Sequence, residues 1–74
     1  MSTLNFSDYL KLTRLFYGLT QSEMARRLGY KQSIISEVET KRKNASDKLK
    51  VALTREYPRT AEFERFLYEM KKEE

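Results

Sequence analysis

Apolar residues recur every three or four positions along most of this chain, and no segment alternates with the period of two that marks a strand. Each apolar stretch is bounded by a residue suited to start or stop a helix. Asn5, with Asp8 three residues on, opens a helix that runs from about Phe6 to Tyr17 and stops at Gly18. Thr20-Gln21-Ser22-Glu23 has the form of a capping box, so a second helix starts there, reaches about Leu28 and ends at Gly29. A third spans about Gln32 to Thr40 and is followed by the polar run Lys41-Arg42-Lys43-Asn44. Ser46 caps a fourth that extends to about Glu56, and Pro58 breaks the chain. Thr60 caps a fifth, from about Ala61 to Lys72. The expected architecture is all-α: five short helices in one domain over residues 1–74, without repeats, low-complexity tracts or long linkers.

Composition narrows the chemistry. The 74 residues contain no cysteine, so neither disulfides nor thiolate metal sites support the fold. Histidine is also absent, which removes the commonest general base and transition-metal ligand. There is no glycine-rich phosphate loop and no pair of carboxylates placed across a cleft, and a short helical chain has little room for a pocket. An enzyme, a cofactor, a metal site and a small-molecule substrate are therefore not expected. No apolar run approaches a membrane span, and the N-terminus lacks the layout of a signal peptide, so the expected setting is a soluble, cytoplasmic one. A chain this small buries only about 60% of its unfolded surface, which leaves a thin margin of stability.

The net charge is +4, with a pI near 9.5. Residues 1–20 carry +1, residues 21–44 carry +3, residues 45–58 carry +1 and residues 59–74 carry −1. The positive charge thus peaks across the second and third helices and the loop after them, as a polyanion-binding surface requires.

The spacing inside residues 21–40 adds a sharper constraint. Two helices that cross steeply through a short turn need a small residue at the crossing, a turn residue that tolerates positive φ, and apolar residues on the inner face of the second helix. Ala25, Gly29, and Ile35 with Val38 meet these needs in order, and Met24 and Leu28 complete the inner face of the first helix. Together with the capping box, this defines a helix-turn-helix over residues 21–40.

The run from Leu19 to Tyr30, LTQSEMARRLGY, followed by Gln32 to Glu39, QSIISEVE, resembles the lambda-repressor-like family of Cro and phage-repressor domains. The resemblance covers roughly Leu10 to Leu53. It implies a compact five-helix domain, encoded by a bacterium or phage, whose third helix enters the major groove of double-stranded DNA. It implies that Gln21, at the start of the second helix, touches phosphate and that Gln32, at the start of the third, reads bases. It pairs Arg14 with Glu39 as a structural ion pair, and it places a dimer contact near the C-terminal helix. Three features depart from the family pattern. Lys31 stands where Ser or Thr usually caps the third helix, Glu37 is acidic on the outward face, and neither the usual glycine after that helix nor the usual proline before the next is present. A lost cap costs on the order of 1 kcal/mol.

For base contacts the expected residues are Gln32, Ser33 and Ser36, with Glu37 as a fourth, since a carboxylate accepts from cytosine N4. On a plainer reading the first three are polar surface. Phosphate contacts are expected from Gln21, Lys31, Lys41, Arg42, Lys43 and Asn44; a solvated loop is the plainer reading of the charge run. Of Arg26 and Arg27, one faces phosphate and the other solvent. Helix 1 carries Phe6, Tyr9, Leu10, Leu12, Leu15, Phe16, Tyr17 and Leu19, too many for one stripe. The surplus is either wet tyrosines and exposed leucines or a protein contact. Phe63, Phe66, Leu67 and Met70 form one stripe on helix 5, which either caps the core or makes a protein interface.

Two function classes follow. One is a transcriptional regulator that binds DNA as a homodimer; the other is a modulator or antirepressor that docks on a partner repressor protein. An antitoxin, binding DNA and a partner together, is a third.

Overall fold

The computed structural model describes residues 5–72. They form five helices: α1 (Phe6–Phe16), α2 (Gln21–Leu28), α3 (Gln32–Glu39), α4 (Asp47–Glu56) and α5 (Ala61–Lys72). The described residues include no strand. Side chains close the helix N-termini where expected. Asn5 Oδ1 accepts from the Asp8 amide at 2.9 Å, Ser46 Oγ from Leu49 at 3.1 Å and Thr60 Oγ1 from Phe63 at 3.2 Å. Each such bond satisfies one of the amides a helix start leaves without a partner. The ends of α1 and α3 fall one residue earlier than the sequence suggests. Tyr17 and Thr40 are the capping residues that follow them, at φ −90° in both cases.

The core lies between α1, α2, α3 and α4. Leu10, Met24, Ala25, Ile35, Val38, Leu49, Leu53 and Tyr57 form one buried cluster, with Phe6, Leu19, Leu28, Tyr30 and Ala45 packed against its edge. Thr13 is the buried polar residue, and its hydroxyl donates to the Tyr9 carbonyl at 2.7 Å one turn back. A second, aromatic tier joins α5 to α1. Phe63 is fully buried, with its ring 5.0 Å from Phe16 and 5.9 Å from Tyr9. Phe66 lies 5.2 Å from Phe16, and Tyr17 lies 4.8 Å from Tyr57.

This tier favours the core-capping reading of the α5 stripe. Phe63 and Leu67 are buried within the chain, so they are not available to a protein interface. Phe66 is half-buried against Phe16, which leaves Met70 as the exposed member of that stripe. The surplus apolar residues of α1 are mostly consumed in the same way, because α1 packs on α3 with one face and on α5 with another. Leu15 remains half-exposed. Tyr9 does not have a wet hydroxyl: the oxygen is buried without a partner among the described residues, and burial pushes its pKa up.

Candidate nucleic-acid interface

The motif begins at Thr20. Its hydroxyl accepts from the Glu23 amide at 3.0 Å while its own amide donates to Glu23 Oε1 at 2.8 Å, a reciprocal capping box. The Thr20 amide, and after it the Thr20 hydroxyl, favour the charged carboxylate and hold the Glu23 pKa below its ordinary value. At the other end of α2, Gly29 adopts φ +80°. Its amide reaches the Arg26 carbonyl at 3.3 Å, and the Tyr30 amide reaches Ala25 at 2.8 Å. This pair of bonds closes a Schellman turn, and glycine is there because a Cβ is strained at that φ. The turn redirects the chain within three residues, so α3 packs back on α2, whose Ala25 is buried.

Helix α3 is anchored along one side by Ile35 and Val38, both buried. Gln32 and Ser33 are exposed, and Ser36 and Glu37 are half-buried. Lys31 occupies the N-cap position and supplies no side-chain bond to the first turn; the Ile34 amide turns to the Lys31 carbonyl at 3.0 Å instead.

The C-terminal end of α3 is tied down far more firmly. Arg14 donates from Nε to Glu39 Oε2 at 2.8 Å and from Nη2 to Glu39 Oε1 at 3.1 Å. Its Nη1 donates to the Leu19 carbonyl at 3.0 Å. The Glu39 side chain is only 3% exposed, so its charge is compensated inside the protein rather than by water. Gln21 Nε2 donates to the same Glu39 oxygen at 3.1 Å. One carboxylate therefore joins α1, the start of α2 and the end of α3. The link to Gln21 has no counterpart in the sequence-based expectations, which gave that side chain to phosphate alone.

Beyond Glu39 the chain turns through Lys41, which sits at φ +66°. The Lys41 amide reaches Val38 O at 3.1 Å and the Arg42 amide reaches Glu37 O at 2.9 Å. This is the Schellman turn again, with lysine in the position that Gly18 and Gly29 fill after α1 and α2. The Lys43 amide adds a bond to Glu37 O at 3.2 Å. Lys41, Arg42, Lys43 and Asn44 are all exposed, and their backbone is fixed against the last turn of α3. Lys41 Nζ lies 3.9 Å from Asp8 Oδ1, so an acid of α1 borders this basic loop. Arg26 and Arg27 are both exposed on α2. The described residues contain no group of three or more His, Cys, Asp or Glu side chains placed to hold a metal, and no helix among them is long and apolar enough to cross a membrane.

A helix pair joined by a tight turn, with a buried seam, an outward polar face and a basic loop beyond it, is the arrangement of a DNA-binding helix-turn-helix. Residues 10–62 match the family model described as Helix-turn-helix, and the chain belongs to this lambda-repressor/Cro-like family. The domain is thus a DNA-binding regulatory one and not a catalytic one. No curated protein and no solved structure matches the chain.

Proposed function

We propose that this protein is a small sequence-specific transcriptional regulator of the Cro and phage-repressor type, which places α3 in the major groove. The observation that carries this reading is the division of α3. Ile35 and Val38 are buried, while Gln32 and Ser33 are exposed beside half-buried Ser36 and Glu37. In this reading those four side chains address base edges. Lys31, Lys41, Arg42, Lys43 and Asn44 hold the backbone, because cations and amides at the rim of a reading helix set register without selecting sequence. Gln21 joins them through the second hydrogen of its amide, the first being donated to Glu39.

The protein acts as a homodimer. One copy measures 31 × 23 × 21 Å and carries one reading helix. Half-sites one helical turn apart are separated by about 34 Å, so a second copy is needed to address both. Pairing also raises the modest affinity of a single small module.

The test is a pair of substitutions. Gln32→Ala lowers the ratio of specific to random-DNA affinity. Lys43→Ala weakens binding to every sequence and lowers the salt slope by about one. Unchanged discrimination in Gln32→Ala refutes the assignment of Gln32.

A second reading is favoured by the apolar surface left on the outside: Leu15 is 48% exposed and Tyr68 is 64% exposed. On that reading the chain is a modulator or antirepressor that docks on a partner repressor. A DNA titration at two salt concentrations separates the two, since a modulator gives no sequence-specific complex with DNA from its own upstream region.

A further inference from the structure

The two acids of α3 are treated differently by the fold. Glu39 is buried and accepts three hydrogen bonds, from Arg14 and Gln21. Glu37 lies within 4.0 Å of no cation among the described residues, although three basic residues follow it within six positions. The cause is in the turn. Arg42 and Lys43 donate their backbone amides to the Glu37 carbonyl, so the loop folds onto the main chain of residue 37 and its side chains leave the carboxylate free. Counting about 100° per residue, Ser33, Ser36, Glu37 and Thr40 fall on the side of α3 away from Ile35 and Val38. The Thr40 hydroxyl is not available there as a donor, because its hydrogen goes to the Ser36 carbonyl at 2.9 Å. Glu37 is therefore the one carboxylate on the outward face of the helix.

We propose that Glu37 is the residue that selects a cytosine in each half-site, accepting a hydrogen bond from its N4 amino group and rejecting the other bases at that step. This rests on the reading of α3 as the major-groove helix. A carboxylate brought into a groove walled by phosphates loses water and gains repulsion unless a donor meets it. Guanine presents two acceptors there, and thymine presents an acceptor and a methyl group. Adenine offers an amino group, but with the N7 acceptor beside it. Cytosine presents a donor with no acceptor of its own. Much of the selectivity is exclusion: the acid makes the wrong base worse rather than the right base very strong.

The experiment is selection from a randomised duplex library by the full chain and by Glu37→Gln, which has the same shape and both donates and accepts. The expected result is that the wild-type protein requires cytosine at one position of each half-site, that Glu37→Gln loses the requirement there, and that the remaining positions are unchanged. The selected cytosine is then replaced by 2-pyrimidinone, which lacks only the amino group. That replacement costs the wild-type protein about tenfold in affinity and costs Glu37→Gln less than about twofold. The base-side change needs no protein variant in the wild-type arm, so it reads the contact even where the substitution impairs folding. Identical sequences selected by both proteins, or equal losses on 2-pyrimidinone, overturn the role of Glu37 and leave the sequence-specific reading standing. Absence of any selected sequence for the wild-type protein overturns both.

Discussion

Replacing Lys41 by glycine separates two roles that the position combines. Lys41 holds φ +66° at the end of α3, where an L side chain brings Cβ close to the following carbonyl oxygen at a cost of roughly 1–2 kcal/mol. Glycine removes that strain but loses more chain entropy on folding, by roughly 0.5–1 kcal/mol relative to alanine. The Lys41–Asp8 contact adds little to the balance. Its atoms are 3.9 Å apart, with side chains 59% and 39% exposed, and such pairs contribute a few tenths of a kcal/mol at most. Lys41→Gly is therefore more stable than Lys41→Ala by about 0.5–1 kcal/mol, which raises the thermal midpoint by about 3–6 °C in a domain of this size. Both variants lose the same charge, so both weaken DNA binding equally and lower the salt slope by about one if Lys41 meets a phosphate. Urea and thermal unfolding give the first quantity; titrations at several salt concentrations give the second. A glycine variant no more stable than the alanine variant refutes the strain reasoning, and a difference between them in DNA affinity refutes the assignment to charge alone.

Two further outcomes concern stability. Arg14→Ala leaves the Glu39 carboxylate buried without its principal partner and costs about 3–5 kcal/mol, a large share of the roughly 4–11 kcal/mol expected for a domain this small. Converting both residues to apolar side chains costs less than the sum of the single changes in urea unfolding, and strict additivity argues against the pairing. Glu23 has a lowered pKa in the folded state, so its contribution is present above the ordinary carboxylate range and fades as pH falls through the lowered value. The thermal midpoint of wild type relative to Glu23→Gln should therefore decline on acidification, and a constant difference across that range excludes the carboxylate cap as its source.

Local chemistry explains what was readable in the sequence. Thr20 with Glu23, and Gly18 and Gly29, act on neighbours within a few residues, so their identity alone locates the ends of α1 and α2. Ile35 and Val38 needed only the helical period to be placed inside. What escaped depends on residues far apart in the chain. The stripe Phe63, Phe66 and Leu67 declares that one face of α5 is apolar, but not that Phe16 and Tyr9 of α1 supply its cover. The amide of Gln21 finds Glu39 from 18 residues away, a contact no spacing rule describes. The missing glycine after α3 is visible in the sequence. That the turn forms regardless, with Lys41 bearing the left-handed conformation, is a property of the folded chain that no residue type there announces.

The clamp on Glu39 also has a mechanical side. Eight residues make α3 about 12 Å long; Ile35 and Val38 bury its inner side, and its polar attachment is at the C-terminal end, through Glu39. Gln32 stands at the other end, behind a cap residue whose side chain contributes no bond. The polar joint of the helix thus lies far from its working tip. A tilt of about 10° at that joint swings the tip by about 2 Å over that length, more than a hydrogen bond tolerates. The angular stiffness of the Arg14–Glu39–Gln21 joint, together with the packing of Ile35 and Val38, therefore limits how finely Gln32 can be aimed.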